Sequence, residues 1–172
     1  MIVYRCSLLK WAHDLTGTGS YLHGGRWNTP GTRLIYTAEN NVLAAFEVAL
    51  RIPLDQISKN YVMTPIEIPK GADVFSPKLT KNWYSDIRFS RQLGDAFAKD
   101  GKYLLMKAPS ALISDSFNYL INLNHELIKK VKPKEARTIL FDKRLMEMIR
   151  IKNYWQIGNY VKMVKNRSKL NH

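Results

Sequence analysis

The chain has 172 residues, of which 45% are hydrophobic and 24% charged, proportions typical of one globular domain and not of a disordered or fibrous chain. No apolar run is long enough to span a bilayer, and the first residues lack the apolar core of a signal peptide. Cys6 is the single cysteine, which excludes an internal disulfide, and we expect a cytoplasmic protein. The histidines have no zinc-like spacing, so we expect no metal site.

The charge is strongly positive. Lys and Arg number 27 against 14 Asp and Glu, a net charge of +13, which can attract nucleic acid, an anionic membrane or an acidic protein. Residues 149–172 contain basic but no acidic side chains, and a second basic segment, KKVKPKEAR, begins at Lys129. We favour two solvated basic segments, and a docking surface for an acidic partner or a nucleic acid stays open.

The first elements in chain order are a strand, a loop, a strand and a helix. IVYRC alternates and predicts a strand with Tyr4 and Arg5 on opposite faces. TGTGSYLHGGRWNTPGTR is rich in Gly, Thr, Asn and Pro and predicts a loop. RLIYTA predicts a short strand, and Thr37 is a candidate N-cap for a helix over roughly 39–51 that Pro53 ends.

The remaining pattern adds strands around one more helix. NYVMTPIEIP predicts one or two strands in which Pro65 favours an edge or a break, and SRQLGDAFAKDG predicts an amphipathic helix closed by Gly101. KYLLMKAP predicts a strand that ends at Pro109, residues 118–123 a strand or a turn, and RTILFD a last strand before a helical remainder. Without regular βαβ alternation or a glycine fingerprint, we expect an α+β fold with a mixed or largely antiparallel sheet.

One carboxylate interrupts an apolar helix. In the segment around NVLAAFEVALR, Glu47 and Arg51 alone break an apolar surface that covers most of the helix. Burying a carboxylate is costly unless it is paired or hydrogen-bonded. The helix by itself favours a surface pair between Glu47 and Arg51, which would contribute only roughly 0.2–0.5 kcal/mol.

Two further residues have a structural and a functional interpretation. Arg26 follows two glycines, which let the backbone approach a ligand, so it could hold a phosphate or carboxylate through two parallel hydrogen bonds or simply point to water. Tyr36 could belong to the core or stack on a flat cationic heterocycle. Neither residue by itself decides between these interpretations.

The three residues together resemble the motif of a known family. GGRWN, a tyrosine ten residues after Arg26, and A-x-x-E with Glu47 eleven residues after Tyr36 resemble the RES domain. The likeness continues in order through YR at the start, the block LGDAFAKDGKYLLMKAPSALISDSFNYLINLNH, and ILFDKRL. It covers residues 1–147, and we expect the basic extension 148–172 to be helical and packed on the same domain.

The resemblance implies a fold and an activity. RES domains are the toxins of bacterial RES–Xre toxin–antitoxin pairs, with a compact mixed or antiparallel sheet and surrounding helices, similar to ADP-ribosyltransferase toxins. Members consume NAD by cleaving its nicotinamide–ribose bond and pass ADP-ribose to water, inorganic phosphate or a protein. NAD would be a substrate, with no resident cofactor or metal, and the partner would be an Xre-type antitoxin that alone contacts DNA.

The resemblance also assigns residues. Glu47, Arg26 and Tyr36 would be catalytic: Glu47 would stabilise a cation resembling an oxocarbenium ion, and Tyr36 would pack against nicotinamide. Arg5 and Arg26 would hold the pyrophosphate or a ribose.

Two more residues would complete the NAD contacts. Ser110 would donate a hydrogen bond to the nicotinamide side or to the acceptor, and Asn118 belongs to the second block of the family pattern. A protein ADP-ribosyltransferase using the same site is an alternative. A basic nucleic-acid-binding or RNA-cleaving module is a second class of function, in which aromatic side chains of the tail would stack on the bases of a nucleic-acid strand.

Overall fold

The computed structural model describes residues 1–51, 60–142 and 144. Its helices are α1 (Thr18–His23), α2 (Asn41–Ala49) and α3 (Ile87–Asp100), with short 3-10 helices at Leu9–Trp11 and Glu126–Lys130. Its strands are β1 (Ile2–Leu8), β2 (Leu34–Ala38), β3 (Tyr61–Glu67), β4 (Val74–Phe75), β5 (Leu105–Pro109), β6 (Phe117–Asn122), β7 (Lys132–Pro133) and β8 (Arg137–Thr138).

The strands of this described part form one eight-stranded sheet. Their order is β4–β5–β6–β2–β1–β3–β7, with β8 also paired to β3. The pair β4–β5 is parallel, and the other pairs are antiparallel. The prediction of an α+β fold with a mixed, largely antiparallel sheet is confirmed. None of the described helices has the length and apolar character needed to cross a bilayer.

Side chains that alternate along β2 pack against different layers. On one face of the sheet, Leu34 packs with Trp27, which precedes β2, and with Phe97 of α3. Its neighbour Ile35 packs with Ile121 in a separate buried cluster. Successive strand side chains point to opposite faces, so the sheet has core on both sides, and α3 covers the face that also carries Tyr36.

The prediction of a continuous loop between β1 and β2 is wrong. Residues Thr18–His23 form α1, between Gly17 at φ 64° and Gly24 at φ 65°. The glycines that suggested a loop are therefore the flanking residues of a short helix, where a left-handed backbone is required and glycine adopts it at low cost.

The predicted N-cap of α2 is also wrong. Asn40 caps the helix, and its side chain accepts a hydrogen bond of 2.8 Å from the backbone N–H of Leu43. Thr37 lies within β2 and donates its hydroxyl to the carbonyl of Tyr119 at 2.6 Å. The helix is also less buried than its sequence suggested, because Val42 is exposed.

Other boundaries differ less. Pro65 does not break β3; it lies between the residues that pair with β7 and those that pair with β8, and its carbonyl accepts from the N–H of Lys134. The helix α3 ends at Gly101 as predicted, with φ 67°. RTILFD is a strand over Arg137–Thr138 only. The predicted helix in 148–172 lies outside the described residues.

We predict that Gly94→Ala unfolds more easily than the wild type. A Cβ at Gly94 of α3 would overlap the backbone carbonyl of Trp27, and such overpacking typically costs about 1–3 kcal/mol or more. Gly19→Ala in α1 is the control, because its Cβ would meet nothing within 4 Å. Urea unfolding should show a clear loss for Gly94→Ala and none for the control; equal stability of the two variants would contradict close packing of α3 on this loop.

Candidate active site

A cavity opens where β1 and β2 diverge. Within the described strands, β1 and β3 are in register at seven positions, whereas β1 and β2 are in register at Tyr4 and Ala38 alone. The cavity there has a volume of about 260 Å³. It brings together five of the six residues that the sequence analysis assigned to the site: Arg5, Arg26, Tyr36, Glu47 and Asn118.

The carboxylate of Glu47 is held by three donors. Its Oε1 accepts from Asn118 Nδ2 at 2.7 Å and from Ser110 Oγ at 3.2 Å. Its Oε2 accepts from Arg51 at 3.1 Å. The side chain of Glu47 is 18% exposed, and an ionised carboxylate has about four acceptor positions. The carboxylate is thus fixed in direction while it still faces the cavity.

Glu47 has the predicted surface pair and, in addition, hydrogen bonds from elsewhere in the chain. The pair with Arg51 exists, and the Arg51 side chain is 58% exposed, which makes the pair a weak contributor to stability. The hydrogen bonds from Ser110 and Asn118 come from distant parts of the chain. The surface pair that the helix alone favoured therefore accounts for one carboxylate oxygen only.

Ser110 and Asn118 contact Glu47 directly. Ser110 is buried, and its Oγ also accepts from the backbone N–H of Leu112 at 3.1 Å. Asn118 lies on β6 opposite Ala38 of β2. The sequence analysis gave both residues contacts with NAD, and it missed that both orient the glutamate.

The hydroxyl of Tyr36 lies in a hydrogen-bond network at the cavity wall. It donates to Asn28 Oδ1 at 2.6 Å and accepts from the backbone N–H of Trp27 at 3.1 Å. Burial raises the pKa of Tyr36 to about 12. The hydroxyl is thus occupied by the protein, and the ring remains as the part that can pack against a ligand.

Asn28 supports the cavity wall behind Tyr36 without lining the cavity, and the sequence analysis missed this role. It is fully buried, and its Nδ2 donates to three backbone carbonyls at 2.9–3.0 Å, those of Ser20, Thr29 and Thr32. Asn28 therefore links α1, the loop that carries Arg26, and Tyr36. Its place in GGRWN was the available signal, but its neighbours in sequence gave no indication of burial.

Arg26 lies at the cavity wall and contacts a segment far away in sequence. Its Nη1 donates to the carbonyl of Tyr84 at 2.9 Å, and its guanidinium lies over the Trp83 ring, 5.9 Å from the centroid. Trp83 stacks on Trp27 with centroids 5.4 Å apart. The loop is fixed from the other side by Arg91, whose Nε donates to the carbonyl of Gly25 at 2.9 Å.

Arg5 supplies a second cationic group to the cavity. Burial lowers the pKa of its guanidinium, and the nearby Asp14 opposes that shift. Its Nη1 donates to the backbone carbonyl of Asp14. Arginine keeps its charge in proteins, so the cavity presents three cations, Arg5, Arg26 and the Arg51 that pairs with Glu47, together with the Glu47 carboxylate. In the described part of the chain no group of three or more His, Cys, Asp or Glu could hold a metal ion.

Comparison with known proteins identifies the family. Residues 2–142 match the model of the RES domain. A Prs ADP-ribosylating toxin of Sphingobium sp. (strain YBL2) is 30% identical over 142 residues, covering 78% of this chain and 88% of the relative. A Toxin Res of Pseudomonas putida (strain KT2440) is 30% identical over 135 residues, covering 77% and 91%. The chain belongs to the RES domain family, which confirms the resemblance seen in its sequence.

The fold has a solved counterpart. The crystal structure of the M. tuberculosis MbcT–MbcA toxin–antitoxin complex contains a chain that matches with a TM-score of 0.62, 15% identity, and coverage of 87% of this chain and 88% of that chain. At this identity the likeness establishes a shared fold.

We predict that Tyr36→Phe changes how stability depends on pH. The folded-state pKa of Tyr36 is raised to about 12 by burial, so its contribution is fully present below the ordinary pKa of about 10 and is lost as pH rises toward 12. Between pH 9 and pH 11 the wild type should lose about 1–1.5 kcal/mol relative to Tyr36→Phe. Urea unfolding of both proteins at each pH measures this; a difference independent of pH would contradict the buried hydroxyl.

Proposed function

We propose that this chain is a bacterial toxin that consumes NAD by cleaving the nicotinamide–ribose bond, as a glycohydrolase or a phosphorylase. The observation that carries the proposal is the carboxylate of Glu47, oriented by Asn118 and Ser110 in a cavity that also contains Arg5 and Arg26. NAD is the substrate in this proposal, and no resident cofactor or metal takes part.

The chemistry requires a negative group at one position. When the bond between nicotinamide and ribose breaks, its electron pair goes to the nicotinamide nitrogen, and positive charge develops on the ribose. This transition state resembles that of glycoside cleavage. A carboxylate fixed before the reaction stabilises the developing charge without reorganisation. The hydrogen bonds from Ser110 and Asn118 would provide that fixed orientation for Glu47.

The other cavity residues suit the rest of NAD. Its pyrophosphate carries negative charge, and guanidinium groups bind phosphate oxygens through paired hydrogen bonds, a role that Arg5 and Arg26 could fill. The ring of Tyr36 is available for nicotinamide because its hydroxyl is already bonded within the protein. A cytoplasmic location would give the site access to NAD.

Protein ADP-ribosylation is the second candidate, using the same site. It is supported by the name of the Sphingobium relative, a Prs ADP-ribosylating toxin. The acceptor would then be a protein side chain in place of water or phosphate, and the relative's name makes Prs the first target to test. We also propose an antitoxin partner of the Xre type. The toxin names of the relatives and the MbcT–MbcA toxin–antitoxin complex support an antitoxin partner, and the Xre type rests on the family resemblance.

We predict that Glu47→Gln abolishes nicotinamide release from NAD. The amide keeps the shape and one oxygen acceptor but loses the charge, and losing such stabilisation typically lowers the rate about 100-fold or more. Glu39→Gln is the matched control, since Glu39 is hydrogen-bonded to the N–H of Phe117 and does not line the cavity. Nicotinamide is measured with water alone, with inorganic phosphate and with lysate proteins.

Two results would contradict the proposal. The first is a Glu47→Gln protein that releases nicotinamide as fast as the wild type. The second is a folded, antitoxin-free wild type that releases none under any of the three conditions. Thermal unfolding of each variant separates loss of activity from loss of fold.

We predict that Arg26→Lys fails to restore the wild-type rate. An ammonium lacks the planar fork that binds phosphate bidentately and stacks on Trp83, so we expect nicotinamide release to fall at least about tenfold at limiting NAD. Arg33→Lys is the control, because Arg33 also lies over an aromatic ring and bonds a backbone carbonyl, outside the cavity. A fully active Arg26→Lys would assign Arg26 a general electrostatic role.

A further inference from the structure

Arg51 is a third cation of the cavity and lies beside the proposed catalytic carboxylate. It comes one helical turn after Glu47, and both side chains line the cavity together with Ala44 and Val48, at the spacing of one helix face. Its Nη2 donates to Glu47 Oε2 at 3.1 Å. Burial raises the pKa of Tyr36 to about 12, and the charge of Arg51 acts to lower it. The guanidinium therefore acts on the carboxylate and on the tyrosine that face the same cavity.

The other two cations of the cavity are held by backbone carbonyls. Arg26 donates to the carbonyl of Tyr84, and Arg5 donates to the carbonyl of Asp14. Both side chains are half-buried, whereas Arg51 is exposed. A guanidinium has several N–H donors, and within the described residues Arg51 directs one of its side-chain donors to a partner, the carboxylate. A small anion entering from solvent therefore reaches Arg51 most directly.

Stability alone does not explain an arginine at this position. Exposed pairs four residues apart on a helix contribute little to the free energy of unfolding. A cation in contact with Glu47 also offsets part of the negative charge that would stabilise the ribose cation. An anion bound to the remaining donors of Arg51 cancels that effect, because it neutralises the guanidinium while the carboxylate stays in place.

The position of Arg51 indicates which anion this is. Its guanidinium contacts the carboxylate that would face the reacting ribose carbon, whereas the pyrophosphate of NAD is separated from that carbon by the sugar ring and a methylene group. Water needs no cation to approach the ribose. A phosphate dianion is repelled by the nearby carboxylate unless a cation lies within reach of both, and a guanidinium binds phosphate through two parallel hydrogen bonds.

We infer that Arg51 binds inorganic phosphate as the acceptor of ADP-ribose, so that NAD is cleaved by phosphorolysis. The inference rests on the proposed function and selects among its acceptors. The bond between ribose and nicotinamide breaks with its electron pair going to the nicotinamide nitrogen, and a phosphate oxygen donates an electron pair to the same ribose carbon. The products are nicotinamide and ADP-ribose 1″-phosphate, and the proton of hydrogen phosphate stays on the phosphate group or passes to water.

The test compares two products of one active site. The wild type, Arg51→Gln, Arg51→Lys and the control Arg88→Gln receive NAD and increasing inorganic phosphate at constant ionic strength, and free ADP-ribose and its 1″-phosphate are separated by chromatography. Arg88 is exposed on α3 and does not line the cavity, so its change removes the same charge elsewhere. The ratio of the two products does not depend on the folded fraction or on the total rate, because both form at the same site.

The expected result is a change in product ratio. The wild type should form the 1″-phosphate with saturable dependence on phosphate. At a phosphate concentration below saturation, Arg51→Gln should shift the ratio toward free ADP-ribose at least about tenfold, as expected when charge-assisted hydrogen bonds are lost. Arg51→Lys should lie between the two, and Arg88→Gln should match the wild type. If Arg51→Gln does not fold, as judged by thermal unfolding, Arg51→Lys replaces it with a shift in the same direction.

Several results would overturn the inference. A wild type that forms only free ADP-ribose at high phosphate, or that transfers ADP-ribose to lysate proteins in preference to phosphate, would leave the proposed cleavage intact and exclude phosphate as the acceptor. An unchanged product ratio with a lower total rate would show that Arg51 only orients Glu47. An unchanged ratio with a higher KM for NAD would place Arg51 at the pyrophosphate. Absence of nicotinamide release in every condition would instead remove the proposed function itself.

Discussion

The hydrogen bonds to the carboxylate of Glu47 connect three separate parts of the chain. Glu47 belongs to α2, Ser110 begins the turn after β5, and Asn118 lies on β6. A half-buried carboxylate is stable when donors replace the water it loses. These donors also fix its direction, so the interactions that make burial of the charge tolerable also hold the carboxylate in one orientation at the cavity wall.

The cavity exists because the sheet is incomplete at that point. Strand β1 follows β3 over its whole length but meets β2 at Tyr4 and Ala38 alone. The gap is bordered by the loop carrying Arg26, which depends on α3: Gly94 leaves space for the backbone of Trp27, and Arg91 holds the carbonyl of Gly25. A helix that contributes little to the cavity lining thus determines where one of its cations lies.

The sequence predicted which residues line the cavity better than it predicted the hydrogen bonds between them. Spacing from Arg26 through Tyr36 to Glu47 belongs to one continuous motif, and its residues do share a cavity. The roles of Asn28 and Trp83 were missed, because their partners are set by tertiary packing that a linear pattern does not reveal.

The predicted start of α2 was wrong for a related reason. Asn40 and Thr37 are both good N-cap residues. Thr37 does not cap the helix because it lies in β2, where its hydroxyl donates to the carbonyl of Tyr119 on β6, and Asn40 caps the helix instead. Strand and helix types followed hydrophobic periodicity, which is local information. Cap choice and hydrogen-bond partners depend on contacts between distant segments.

The measurement that tests the central claim most directly is a crystal structure of the Glu47→Gln protein soaked with NAD. We expect NAD in the cavity between β1 and β2, with the nicotinamide against Tyr36, a ribose hydroxyl within hydrogen-bond distance of position 47, and the pyrophosphate near Arg5 or Arg26. NAD bound elsewhere, or in the cavity with its nicotinamide-bearing ribose away from position 47, would contradict the claim that this carboxylate is held in place for the chemistry of NAD.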